Sequence, residues 1–392
     1  MPIIPQPYIQ YGGVWTTSQA TDAVASGTWA VPPTPKLFSW GQNSAGQLGL
    51  GNTTNYSSPK QVGSLTNWLS ISAGYSATLA VKTNGTLWGW GNNAVGQSVP
   101  GTGGTYYSSP KQVGALTTWA STAGGFYFSM ALKTDGTLWS WGYNSTGQLG
   151  LGNTTSYSDS PHQVGNLTNW AQISCGSSST GAIKTDNTLW MWGNGSYGAL
   201  GFGNSTNYSS PKQVGSLTDW AFVAAGSGFT FAVKTNGTLW SIGGYNADGR
   251  LGQGNTTALS SPKQVGALTN WMQVTLGNTF VIAIKTDGTL WSWGSNVYGQ
   301  LGLGNTTNYS SPIQVGSLTN WSKISASDYA SYIINNSGNL YAWGRNNSGQ
   351  LGLGNTTNYS SPKQVGALSS WTTLMSTGYA GSPYMLAIAA TT

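Results

Sequence analysis

The chain has 392 residues, only 6% of them charged, and its acids are eight Asp with no Glu, set beside one His and one Cys. So few titratable groups exclude a disulfide-stapled fold and leave neither a His/Cys cluster for zinc nor a neighbouring pair of carboxylates for hydrolysis. The net charge of +6 comes from lysines strewn along the chain, which is no nucleic-acid signature, and no run of 18 apolar residues offers a membrane span.

Residues 1–35 carry Pro2, Pro5, Pro7, Pro32, Pro33 and Pro35, with Tyr8, Tyr11, Trp15 and Trp29 between them. A Pro-rich segment of this kind builds no core of its own. It is expected to be an amino-terminal arm whose four aromatics suit grooves of the propeller's own face or of a neighbour in an assembly. The opening "MPIIPQPYIQYGG" lacks the basic and continuous apolar regions of a secretory signal, so none is expected.

The remainder, residues 36–392, is repetitive. A short aromatic strand, "LFSWG" from Leu37, stands ahead of the first full unit, followed by a Gly-rich loop and "SPKQVG". Then come "NWLSISAG", "SATLAVK" and "TLWGWG", three stretches suited to pleated strands. The last two are joined through Asn84-Gly85, a hairpin signal that implies a two-residue turn with both residues at positive φ. It returns as Asp135-Gly136, Asn236-Gly237 and Asp287-Gly288.

The whole unit returns at steps of 50 or 51 residues, marked by Trp40, Trp90, Trp141, Trp192, Trp293 and Trp343, with Ile242 in the vacant slot. A second series, Trp68, Trp119, Trp170, Trp220, Trp271, Trp321 and Trp371, keeps the same beat. Four strands per unit, seven times over, predict an all-β, seven-bladed β-propeller with four-stranded blades. The Trp series reads as packing between blades. The last unit ends before any "TLWSWG" strand, and Leu37 and Phe38 match Leu87 and Trp88. The ring should therefore be closed by pairing of the N- and C-terminal strands.

The pattern "WGxNxxGQLGxG", then "P-x-x-V", then an "AG" strand, then "DGxLWxWG" resembles the repeat of the regulator of chromosome condensation family. That resemblance implies the same seven-bladed propeller. It does not fix a function, since the family's propellers serve nucleotide exchange on a small GTPase, chromatin binding, enzyme inhibition and ubiquitin-ligase partnering. Two departures speak against exchange. The family's "AGxxHT" His is replaced by Ala77, Phe128, Ser179, Phe229, Phe280 and Ala330, and no unit exceeds 51 residues, leaving no inserted wedge.

Where every blade meets the same neighbours, shared residues serve stacking, and recognition is expected where the wording changes. The second unit brings Val99, Pro100, Tyr106 and Tyr107 into an otherwise uniform loop. The fifth supplies Tyr245, Asp248, Arg250 and Leu259, and Arg345 is the other Arg of the chain. Tyr and Arg are the types that most often dominate binding energy.

Lys82, Lys133, Lys184, Lys234 and Lys285, and in the outer strand Lys60, Lys111, Lys212, Lys263 and Lys363, would form rings attractive to anions. The favoured reading is that they and the adjacent Pro protect sheet edges. His162 reads as a surface variant of that Lys and Cys175 as an inert core thiol.

The sequence thus points to a non-enzymatic structural or interaction protein without metal or cofactor. By composition it matches a virion surface protein, a capsid decoration or a tail fibre or adhesin, joined to other virion proteins through its arm and offering the propeller to a host surface glycan or protein. A bacterial extracellular lectin or inhibitor is the alternative, and an exchange factor or intracellular scaffold the third reading. Neither nucleic-acid binding nor membrane insertion is expected.

Overall fold

The computed structural model describes residues 34–376 and 381–391. Two strands come first, β1 (Thr34–Gly41) and β2 (Tyr56–Thr66), then the first complete blade: β3 (Trp68–Ala73), β4 (Ala77–Lys82), β5 (Leu87–Asn93) and β6 (Thr105–Gln112). Five further blades fill residues 119–364, and the chain ends with β27 (Trp371–Ser376) and β28 (Tyr384–Thr391). All seven sheets have four strands, and six of them run in simple sequence order. The seventh has the order β2-β1-β28-β27, so the lone amino-terminal strand fills the place the last unit lacks. Pro35–Thr391 form one compact unit. The Pro-rich segment up to residue 33, with Tyr8, Tyr11, Trp15 and Trp29, lies outside the described residues.

Each blade is covered by a neighbour on both faces, and the second strand shows it. Phe280–Lys285, "FVIAIK", is buried at every position, as a strand sandwiched between two sheets must be. Register repeats with the period: Ala77 pairs with Gly91 and Thr78 with Trp90 in the first blade, Phe280 with Gly294 and Val281 with Trp293 in the fifth.

The Trp of each "WG" pair is fully buried and reaches into the preceding blade. Trp90 Nε1 donates to the Gln47 carbonyl at 2.9 Å, Trp141 to Gln97 at 3.0 Å and Trp343 to Gln300 at 2.9 Å. Burying such a ring contributes about 4 to 6 kcal/mol gross. The close approach explains one glycine of the loop: a Cβ on Gly49 would lie 2.8 Å from the Trp90 indole nitrogen.

The hairpins differ from expectation. Only the Gly enters the left-handed region, at φ 75° for Gly85 and 78° for Gly136, and Asn187 takes that role at φ 61° where Gly is missing. Gly85 N donates to Lys82 O at 2.9 Å and Lys82 N to Thr86 O at 3.0 Å. This is a three-residue loop whose last residue forms the left-handed bulge, not a two-residue turn. The Asp135 carboxylate, one residue before the Gly, accepts from Thr137 N at 2.9 Å and Thr137 Oγ1 at 2.7 Å.

Candidate functional site

Antiparallel order sends the chain out of the propeller at two ends. The hairpins leave at one end. The loops from first to second strand and from third to fourth strand leave together at the other.

The hairpin end is closed and uniform. Lys285 Nζ lies 4.9 Å from the Trp271 ring centre and 3.5 Å from that of Trp291, and Lys184 lies 4.9 and 3.6 Å from Trp170 and Trp190. Lys82, Lys133 and Lys234 repeat the arrangement. Burial pushes the Lys82, Lys184 and Lys285 ammonium groups below the ordinary lysine range, while the indole faces attract the charge that water no longer solvates. This set is neither an anion-attracting ring nor edge protection; it is held between aromatic rings. The outer set, Lys60, Lys111, Lys212, Lys263 and Lys363, is exposed.

The loop end carries the chain's irregular aromatics. Tyr75 stacks on Phe126 with centres 4.1 Å apart, and Tyr127 meets both edge-on at 5.5 and 4.6 Å. Tyr106 and Tyr143 complete the walls of a recess of about 560 Å³ that also touches Ser177 and Ser178. Tyr106 is 61% exposed, so its ring is available to a partner.

A second recess, about 500 Å³, continues from Ser177 and Ser178 to Tyr197, Tyr245, Arg250 and Thr279. It borders a loop that lacks shared residues. Elsewhere a buried Gln plugs this level: Gln47, Gln97, Gln148, Gln300 and Gln350 each accept through Oε1 from the backbone N–H two residues earlier, at 2.9 to 3.0 Å. A buried Asn staples the same loop, Asn43 Oδ1 accepting from Leu48 N at 2.9 Å while its amide donates to Asn52 O at 2.9 Å. In the loop of residues 194–201 that Asn is Gly195, the Gln is Ala199, and the Trp that should lie on it is Ile242. Freed of its staple, the loop takes a 3-10 turn, Ser196–Gly198, with Tyr197 at φ 59°, a conformation a bulky side chain rarely adopts.

Arg250 takes the Gln place in the next blade. Its guanidinium bonds the Asp248 carboxylate, donates from Nη1 to Asn278 O at 3.1 Å, and lies 4.8 Å from the Tyr245 ring centre and 5.5 Å from that of Phe229. Farther round the face, Arg345 Nη1 stands 3.6 Å from Asp328 Oδ2. Burial pushes the Asp328 carboxyl up to about 6.

Of the positions singled out in the sequence, Tyr106, Tyr245, Asp248 and Arg250 line or border these recesses. Arg345 and Asp328 share the same end. Val99 is corrected: it is 7% exposed, with its N–H and carbonyl both held by the Asn93 side chain. Pro100 beside it is half-buried. Leu259 is likewise corrected, since it packs on the core around Phe231 and Trp271. Tyr107 lies half-buried under Lys111, 4.5 Å from its ring centre.

Sequence reasoning missed Tyr75, Phe126, Tyr127, Tyr143, Tyr197 and Ala199. The signal for the last two was "NGSYGALGFG", which departs from the repeat as much as the two loops singled out. Cys175 is buried, and burial pushes its thiol above the ordinary range. His162 pairs with Asp159 at 3.2 Å on the surface. Among the described residues, no three His, Cys, Asp or Glu gather as metal ligands, and no helix is long and apolar enough to cross a membrane.

The family model described as an RCC1-like domain matches residues 16–282, and the regulator of chromosome condensation (RCC1) repeat matches residues 287–334 and 337–382. The chain is 32% identical over 219 residues to the ultraviolet-B receptor UVR8 of Arabidopsis thaliana, covering 52% of this chain and 47% of UVR8. It is 29% identical over 273 residues to the E3 ubiquitin-protein ligase HERC2 of Homo sapiens, covering 66% of this chain and 6% of HERC2. The chain thus spans less than half the length of these relatives. Among solved structures, human WBSCR16 superposes with a TM-score of 0.80 at 21% identity, over 91% of this chain and 99% of that one. Prp20p of Saccharomyces cerevisiae gives 0.80 at 19% identity over 93% of each chain. At such identities both show the fold.

Proposed function

We propose that this chain, which belongs to the family of RCC1-like domains, works as a non-enzymatic interaction module that offers its loop end to a protein partner. One observation carries the reading. The residues that break the repeat collect at that end as exposed Tyr around two recesses, while the hairpin end keeps the same Lys-between-Trp arrangement in five blades. Loops on a rigid scaffold are where such proteins place recognition, and clustered Tyr and Arg supply its energy. The double variant Tyr127→Ser, Tyr143→Ser should lose the proteins that co-purify with the chain from its own cells. The control Lys60→Ala, Lys111→Ala should keep them; the reverse pattern would overturn the reading.

A second reading, exchange on a small GTPase, draws on the match to Prp20p along 93% of both chains. The structure of Prp20p was described with its binding to Gsp1p and histones. Nucleotide release from a purified small GTPase, measured with and without this chain, separates the two readings. The narrower placement, at a virion surface through residues 1–35 or outside a bacterial cell, rests on composition, and the relatives add nothing to it. Mass spectrometry of purified virus particles tests it.

A further inference from the structure

We propose that the recess bordered by the third, fourth and fifth blades is a binding site for a neutral carbohydrate. It rests on the reading of the loop end as the recognition surface and assigns a ligand to the second of its two recesses, while the protein-docking test probes the first, around Tyr127 and Tyr143.

Three positions here differ from the other blades. Gly195 removes a staple, Ala199 removes the plug, and Ile242 removes the indole that would have lain against the plug. Of these, Ala199 lines a cavity of about 500 Å³, within the range of small-molecule pockets, roughly 300 to 1,000 Å³.

Two rings stand at its mouth. Tyr197 and Tyr245 are 65% and 51% exposed, with centres 6.1 Å apart and planes at 69°. A pyranose turns a face of weakly positive C–H groups to such rings, whose π faces are negative. Its hydroxyls, each both donor and acceptor, suit a lining of Ser177, Ser178, Asn194 and Ser227.

Two polar atoms of lining residues keep unspent hydrogen-bonding capacity. Arg250, 2% exposed, has an Nε with no partner, and the buried Thr279 Oγ1 has none either. Both atoms are closed to solvent, so they mark uncommon unsatisfied polarity beside the recess, and the contacts open to a ligand are those of the lining. Charge selects the ligand class: Asp248 already neutralises Arg250, and among the described residues no other charged one lines the recess. An anionic sugar would find no surplus cation there. The lining comes almost wholly from loops, so an extended peptide would find no open strand edge to join.

The test is an array of neutral oligosaccharides built from glucose, galactose, mannose and N-acetylhexosamines, with sialylated glycans and short peptides as controls. The expected result is binding of at least one neutral glycan. Tyr245→Ala should weaken it about tenfold or more, and so should Ala199→Gln, which restores the plug, while Tyr143→Ala in the neighbouring recess leaves it unchanged. Thermal melting confirms that each variant folds; should Ala199→Gln fail to, Tyr245→Ala decides. Absence of any neutral glycan binding, unchanged binding by folded Tyr245→Ala, or binding of sialylated glycans or peptides alone would overturn the proposal.

Discussion

The indole nitrogen of Trp40 donates a 2.8 Å hydrogen bond to the carbonyl of Gln350, joining residues 310 positions apart. It is the contact every "WG" Trp makes with the blade before it, made here across the point where the ring closes. On the other side of the closing blade, Tyr384 Oη donates to Ala77 O at 2.7 Å and accepts from Thr78 Oγ1 at 3.1 Å. Phe38 meets Trp371 edge-on at 5.3 Å.

Closure by β1 makes the first strand a stability element. A chain lacking residues 1–41 should melt well below one lacking residues 1–30. A point substitution should act on the same contact, because a Cβ on Gly352 would lie 2.7 Å from the Trp40 nitrogen at a φ of 73°. Gly352→Ala is expected to cost about 2 to 4 kcal/mol. Equal melting temperatures for the two truncations would contradict the closure.

The lysines of the hairpin end should behave as core residues. Lys285→Ala leaves two indole faces without their cation and opens a gap between them, a loss of about 2 kcal/mol in chemical denaturation. Lys263→Ala, on the exposed outer strand, should stay within about 0.5 kcal/mol of the parent. Similar losses for both would show that the Trp pairs do not hold the ammonium.

Asp328 gives a pH dependence of defined sign. Its carboxyl is pushed by burial from an ordinary 3.8 to about 6, against the opposing pull of Gly381 N–H and Arg345. Between those two values the folded chain holds a proton that the unfolded chain has released, so stability falls as pH rises through the window. The effect is on the order of 3 kcal/mol. Hydrogen-bonded Asp135, Asp186 and Asp287, whose carboxyls lie below the ordinary range, act with the opposite sign, so the comparison is with Asp328→Asn. That variant should gain stability relative to the parent as pH rises from about 4 to 6; a constant difference would remove Asp328 from the account.

The period, the strand content and the closure were legible because each is written by residues that are present and repeated: the two Trp series, the Gly of the hairpins, and Leu37 and Phe38 standing in for a missing strand. Three things were not. The turn type was misread, because Asn-Gly and Asp-Gly serve a three-residue loop as well as a two-residue one, and only the bond from Lys82 N to Thr86 O distinguishes them. The lysines beside the hairpins looked like surface charge because their Trp partners come from two different strands. The second recess was hidden because Ala199, in its lining, reads as an ordinary small residue until the Gln of the other blades is seen to stand at the same place.

Photo-crosslinking in the cells that make the protein distinguishes the loop end from the hairpin end as the recognition surface. A photoreactive residue placed at Tyr106 or Tyr143 should yield adducts with a partner, and one placed at Asn84 or Asn236 in the hairpins should yield none. Adducts from the hairpin positions alone would contradict the account and move recognition to the opposite face.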